Sequence, residues 1–305
     1  MKRIVKWILG IITALIIILI IAGAALLLYS PVPEKSSFNV TLEELRALTA
    51  QDKSALPVSI NALNITDGEF PAGIVVAGYF SALPVPCYVW QINYGGSNKQ
   101  NIMVDTGQHK KHFTGIAANA VFHEKEYNLM QEALQRASII VLTHEHFDHA
   151  GGAALSPYLN ELLPKLWITP EQKNGYFMVG ALFPEGALDK AQALVYERLL
   201  KLAPGVVLIK TPGHSEGSQS LYIKLANGKE FLLAGDIAWN MMNINIPRGR
   251  PLITSLVLKE NRENSANQLR WLNDLQKKGL TILITHDGDH IRSLEKKGLI
   301  KFGLE

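Results

Sequence analysis

The sequence predicts an α/β protein of two similar halves, making two sheets covered by helices, behind one N-terminal transmembrane helix. Three observations predict it. Residues 7–28 are apolar apart from Thr13 and two glycines. Beyond them, β-prone apolar runs and amphipathic helical stretches follow in the order strands, helix, strand, helix, then strands, helix, strand, without a solenoid-length repeat. Five polar residues, Asp105, His144, His214, Asp236 and His286, each come directly or one short turn after such a run.

As a helix, residues 7–28 would measure about 33 Å at roughly 1.5 Å per residue, enough for a bilayer core of about 30 Å. Lys2, Arg3 and Lys6 precede the segment. The positive-inside tendency then keeps the N-terminus cytoplasmic and carries the bulk of the chain across. Ala22-Gly23-Ala24 resembles a signal-cleavage site, which would give a secreted protein. The apolar run continues through Leu26, Leu27 and Leu28, which favours an uncleaved anchor. The chain has 30 basic and 27 acidic residues, and without Lys2, Arg3 and Lys6 the remainder has 27 of each. The charge balance of that body gives no sign of the basic excess that nucleic acid would want, so no nucleic-acid partner is expected. The expected partners are a lipid bilayer, through residues 7–28, and a small-molecule substrate. Cys87 is the single cysteine, which excludes an internal disulfide.

The chain divides into an anchor (1–30), a linker with a short helix (31–56) and one main domain (57–305). In the linker, Thr41 and Glu44 form a capping-box pattern ahead of Leu42, Leu45 and Leu48. Residues 57–104 read as β: 58–63 alternates, 73–80 is β-prone, and runs at 88–92 and 101–104 flank a hairpin signal at Gly95-Gly96-Ser97-Asn98. A helix over 124–136 carries Leu129, Met130, Ala133 and Leu134, and the apolar strand 138–142 follows. Residues 167–169 end another strand, and 189–202 reads as a helix with Ala191, Leu194, Val195 and Leu199 inward. Strands follow at 206–209, 221–225 and 230–233, the last two joined by Asn227-Gly228. A helix over 264–278 stops at Gly279, and a strand over 280–284 ends the pattern.

The densest polar stretch is Thr143-His144-Glu145-His146-Phe147-Asp148-His149-Ala150-Gly151-Gly152. Burying such groups unpaired costs several kcal/mol. Neutral imidazole and carboxylate are, however, ligands for zinc and similar ions. Strand ends on one edge of a sheet layer converge on rigid supports, so His214, Asp236 and His286 can join the cluster. Seven donors then suffice for two metal sites. Gly151 and Gly152 let the backbone pass close to that site or begin a helix.

Over roughly residues 57–287 the chain resembles the metallo-β-lactamase-fold hydrolase superfamily. Its hallmark H-x-H-x-D-H stands here as His144-x-His146-x-Asp148-His149. The later ligand positions match His214 in Thr-Pro-Gly-His, Asp236 in Ala-Gly-Asp and His286 in Thr-His-Asp. The resemblance implies a four-layer αββα sandwich. It also implies that His144, His146 and His214 hold one divalent ion, that Asp148, His149 and His286 hold a second, and that Asp236 bridges them. Asp105, in Asp105-Thr106-Gly107, would support the ligands from behind. Zinc is the expected metal, with iron or manganese as alternatives. Residues 146–152 are similar to those of quorum-signal lactonases, which typically carry a tyrosine shortly after the bridging aspartate; here Ile237-Ala238-Trp239 follows. His146 separates the chain from the di-iron oxygen-reducing branch, and Asp236 from the authentic β-lactamases.

Two cations about 3.5–4 Å apart share a water and lower its pKa to roughly 7. The resulting hydroxide would attack a carbonyl carbon or phosphorus, and Asp148, itself a ligand, would orient it or pass on a proton. No Gly-x-Ser-x-Gly elbow is present. The expected function is therefore hydrolysis of a small ester, lactone or thioester by a membrane-anchored enzyme. Alternatives are a phosphodiesterase of the same fold, a mononuclear-iron sulfur dioxygenase and a non-catalytic anchored binding protein. Trp239, with Met241 and Met242, lines a substrate pocket or packs in the core. His109-Lys110-Lys111-His112 reaches the pocket mouth or forms a solvated loop. His123, His290 and Cys87 read as ordinary surface or core residues.

Overall fold

The computed structural model describes residues 2–52, 56–71, 73–95, 100–112 and 118–305. Two mixed sheets face each other. The first contains β1 (Pro57–Phe70), β2 (Leu83–Pro84), β3 (Cys87–Tyr94), β4 (Asn101–Val104), β5 (Ala118–Phe122), β6 (Ile139–Val141), β7 (Leu166–Ile168), β8 (Gln192–Ala193) and the late β14 (Lys301–Phe302). Its order is β14-β1-β3-β4-β6-β7-β8, with β2 and β5 also paired to β1. The second contains β9 (Leu199–Ala203), β10 (Val206–Lys210), β11 (Gln219–Lys224), β12 (Glu230–Leu233) and β13 (Thr281–Leu283), in the order β13-β12-β11-β10-β9.

The helices are α1 (Lys2–Leu28), α2 (Leu42–Leu48), α3 (Glu124–Arg136), α4 (Phe147–Ala154), α5 (Leu159–Leu162), α6 (Pro170–Asn174), α7 (Met178–Ala181), α8 (Met241–Asn245), α9 (Leu252–Val257), α10 (Arg262–Lys277) and α11 (Gly288–Lys296).

Central strands are buried on both faces, so they read as unbroken apolar runs rather than as alternation. In β3, Tyr88, Trp90 and Ile92 face the second sheet, and Val89 faces the helices outside the first. In β10, Val206 and Leu208 face inward, while Val207 and Ile209 face outward onto Leu269, Leu272 and Leu275 of α10. Three cores result, between the sheets and outside each, which is the four-layer αββα arrangement. α2 is closed by its Thr41–Glu44 capping box and buries Leu42 and Leu45 against the second sheet's outer face, leaving Leu48 exposed. Residues Arg3–Leu28 of α1 have a mean hydropathy of 3.1 over their most apolar window, and none of that window is buried.

Several expectations hold element by element. The helix over 124–136 is α3, and the Asn227-Gly228 hairpin joins β11 to β12. β3 and β4 pair antiparallel as a hairpin requires, while 96–99 at its tip lie outside the described residues. Others fail. Residues 189–202 are not a helix: Ala187–Lys190 is a 3-10 turn, β8 pairs with β7, and β9 pairs with β10. The two sheets each present an open edge there. Pairing those N–H and C=O groups outweighs helix propensity. Val195, expected inward, is exposed, while Tyr196 is buried and its hydroxyl donates to Gln219 Oε1 at 2.6 Å. Residues 73–80 are a series of turns and not a strand, because Gly73 and Gly78 adopt φ +80° and +73°. In α3 the buried stripe holds Tyr127 and Gln131, and Leu129 faces solvent.

Candidate metal centre

The strands β4, β6, β10, β12 and β13 end on one edge of the sandwich. Asp105, His144, His214, Asp236 and His286 stand just beyond those ends, and α4 starts from the same edge with Asp148 and His149 in its first turn. Three groups have donor atoms mutually within 4.8 Å: His144, His146 and His214; His144, His149 and Asp236; and Asp148, His149 and His286.

Asp236 joins these groups. Its Oδ2 lies 3.8 Å from His144 Nε2 and 3.4 Å from His214 Nε2. Its Oδ1 lies 3.4 Å from His149 Nε2 and 3.3 Å from His286 Nε2. Asp148 Oδ2 is 3.6 Å from both His149 Nε2 and His286 Nε2.

The outer nitrogens of three rings are already engaged. His149 Nδ1 donates to Asp105 Oδ2 at 2.9 Å, His286 Nδ1 to Pro86 O at 2.7 Å, and His214 Nδ1 to Glu260 Oε1 at 2.7 Å. In the neutral tautomer each Nε2 is then a bare lone pair. His149 Nε2 and His286 Nε2 stand 3.3 Å apart, and His214 Nε2 is 3.1 Å from His146 Nδ1. Donors about 2.0–2.1 Å from one tetrahedral ion lie about 3.3 Å from each other. His144 Nε2, His146 Nε2 and Asp236 Oδ1 are buried without a hydrogen-bond partner. Acceptors facing acceptors in a dry site need a cation between them, so the donor set fits two metal ions.

The electrostatics divide the four rings around Asp236 and Asp148. Burial pushes His144 and His146 well below the ordinary imidazole range, into the neutral form that binds metals. Burial works the same way on His149 and His286, but nearby carboxylates outweigh it and raise both. Burial also opposes ionisation of Asp236, yet His286, His149 and His144 hold it well below the usual carboxylate range.

The supporting residues are built into the fold. Asp105 adopts φ +62°, a left-handed conformation that short polar side chains tolerate. There its Oδ1 accepts from Thr143 N at 2.6 Å while Oδ2 faces His149. Thr106 N and Oγ1 both donate to His149 O, at 2.7 and 2.9 Å. α4 lies so close to this turn that a Cβ on Gly152 would sit 1.8 Å from Thr106 O. Trp239 Nε1 donates to Asp236 Oδ2 at 2.6 Å.

Three buried residues were not singled out by the sequence. Glu260 accepts from His214 and from Arg250 Nε at 2.7 Å, and Arg250 also lies 4.8 Å over the Trp239 ring. Burial would raise the Glu260 carboxyl, but Arg250 and His214 hold it below the usual range. Glu145 turns away from the cluster and accepts from Ser215 Oγ at 2.8 Å. Glu260 looks locally like part of a charged loop before a helix, so no spacing could have found it. Glu260→Gln should weaken metal binding about 10–100-fold, as losses behind a ligating histidine do. It should also destabilise the fold by about 3–5 kcal/mol, because Arg250 loses its buried partner. Chelator competition and denaturant titration measure the two effects.

A cavity of about 420 Å³ opens onto the cluster, with Asp148, Asp236, His146 and His286 at its floor. Its wall is mostly apolar, from Phe70, Ile74, Val85, Phe147 and Trp239, with His112 at one side. His112 is buried and stacks on Phe147, whereas His109 packs edge-on against Tyr127. Met241 and Met242 pack against neighbouring cores. Cys87 Sγ donates to Asp148 O at 3.1 Å, His123 pairs with Asp67, and His290 bonds Ile282 O.

This fold and this donor set define a class. Residues 82–286 match the metallo-beta-lactamase superfamily, and the chain belongs to it. It is 28% identical over 176 residues to an N-acyl homoserine lactonase of Bacillus cereus, covering 53% of this chain and 66% of the relative. A Bacillus thuringiensis N-acyl homoserine lactonase is 27% identical over the same shares. The chain thus spans just under two thirds of these relatives. Among solved structures, a quorum-quenching N-acyl homoserine lactone lactonase superposes with TM-score 0.61 at 20% identity, covering 78% of this chain and 95% of that one. A dizinc quorum-quenching lactonase gives TM-score 0.55 at 12% identity, over 77% and 90%.

Proposed function

We propose that the chain is a dinuclear zinc hydrolase of small acyl esters, lactones or thioesters. The observation that carries this reading is Asp236, which directs one carboxylate oxygen at each of two histidine groups. His144, His146 and His214 would hold one ion, Asp148, His149 and His286 the other, with Asp236 between them. When bound, the ions would acidify a water and polarise a carbonyl oxygen. Asp105 and Glu260 fix the tautomers of His149 and His214, so that the nitrogens facing inward are lone pairs. Asp148 is partly exposed to the cavity and can accept the proton of the attacking water and return it to the leaving oxygen. The apolar wall suits an acyl chain, as the N-acyl lactonase relatives would require. That same wall disfavours a charged phosphodiester.

We place the domain outside the cytoplasm, tethered by α1. Gly78 N donates to Leu27 O at 3.1 Å and Arg262 Nη2 to Tyr29 O at 2.9 Å, so the end of α1 is bound into the domain. This supports a retained anchor over a cleaved signal sequence.

A chelator-treated chain should lose hydrolysis of an N-acyl homoserine lactone and of a nitrophenyl ester, and about two equivalents of zinc should restore both. Full activity after complete metal removal would refute the reading. Recovery with a single equivalent of iron, together with thiol oxidation, would favour the sulfur dioxygenase.

A further inference from the structure

α9 is inside out. It buries the hydroxyl residues Thr254 and Ser255, at 7% and 4% exposure, and exposes Ile253, Leu256 and Val257 at 39%, 58% and 68%. A helix on a water-facing surface does the reverse. The buried Thr254 hydroxyl is satisfied by Ile74 O at 3.1 Å. Single exposed apolar residues need no explanation, but these three share one short helix, and that helix packs against α1.

The surroundings continue the pattern. Ala77 N donates to Gly249 O at 3.0 Å, Arg248 Nη1 to Ala77 O at 3.2 Å, and Gly78 N to Leu27 O at 3.1 Å. The 73–80 turns and the 246–250 segment are therefore tied to each other and to the end of α1. Each carries a further exposed apolar side chain, Phe80 and Ile246. Tyr29 and Arg262 pair at the same level, the residue types that settle at a membrane interface. Ile74, Ile253 and Val257 from these elements also form the outer wall of the cavity above the metal centre.

We propose that this face rests on the bilayer that α1 enters, and that the cavity mouth opens onto lipid. The substrate is then an acyl ester or lactone that partitions into the membrane and enters by its chain. This rests on the hydrolytic reading of the site and on α1 as a span. Each methylene of an acyl chain favours the bilayer by about fourfold, so long-chain substrates concentrate where the mouth lies.

The test uses the full chain in phosphatidylcholine–phosphatidylglycerol vesicles. A spin label at Leu256→Cys should be relaxed by oxygen and shielded from an aqueous nickel chelate. A label at Val195→Cys, exposed between β8 and β9, should show the opposite. Equal access of the chelate to both labels overturns the proposal. In a second arm, the double variant Ile246→Glu, Leu256→Glu alters the face without touching the cavity wall. It should lose about tenfold in rate on N-dodecanoyl homoserine lactone carried in the vesicles, with little change on the soluble N-butanoyl compound. Unchanged rates on both substrates also overturn it. If the parent chain hydrolyses neither these lactones nor a nitrophenyl ester, the hydrolytic reading fails, and the spin labels still decide where the face lies.

Discussion

Asp236→Ala should cost the protein a metal ion and nearly all of its hydrolysis. Asp236 is buried, and each of its oxygens lies within 3.8 Å of a histidine nitrogen in a different group. No other carboxylate among the described residues faces both groups; Asp148 meets only His149 and His286. Removing it leaves two histidine sets without the negative charge between them, and two cations at that spacing would then repel unshielded. A loss of about 3–4 kcal/mol in transition-state stabilisation corresponds to a rate lower by several hundredfold. The measurements are kcat/KM on a nitrophenyl ester and metal content per chain. Circular dichroism shows whether the variant is folded. Unchanged kcat/KM in a folded variant would remove Asp236 from the chemistry.

Gly152→Ala should be among the most destabilising single methyl additions to this chain. The new Cβ would lie 1.8 Å from Thr106 O and 3.1 Å from Met130 Cε. Thr106 cannot retreat, because its N and Oγ1 both hold His149 O and its Oγ1 also accepts from Ala153 N at 3.0 Å. α4 must move instead, and α4 carries Asp148 and His149. Overpacking of this kind, backbone against backbone, costs at least about 3 kcal/mol. Gly180→Ala is the contrast: in α7, its Cβ would meet only Phe147 Cβ at 3.9 Å. There the lower chain entropy of alanine should stabilise by about 0.5–1 kcal/mol. Urea unfolding of the two variants gives opposite signs if the packing account is right.

Local signals made part of the fold legible in the sequence. α3 and α10 were readable because their ends carry their own signals: a residue run of period 3.6, and Gly279 in the left-handed region at φ +89°. The donor residues were readable because polar groups directly after buried strands have few other ways to be satisfied. Residues 189–202 misled because their helical spacing is real, while the short strands β8 and β9 within them are fixed by pairing with the edges of β7 and β10, which a periodicity does not register. Glu260 and Arg250 stayed hidden because their contacts are not local. Their partner His214 is far away in sequence, and a buried ion pair leaves no periodic trace. The inverted α9 was likewise silent, because Leu252–Val257 looks like any core helix until its exposed side is known.

Where metal sits decides most directly whether the chain is a dinuclear zinc hydrolase. Crystals of the zinc-loaded protein, measured on both sides of the zinc absorption edge, should show two anomalous peaks about 3.5–4 Å apart. One should lie among His144, His146 and His214, the other among Asp148, His149 and His286, with Asp236 touching both. A single peak, or an anomalous signal that follows the iron edge in protein purified without added metal, would contradict the dinuclear zinc hydrolase.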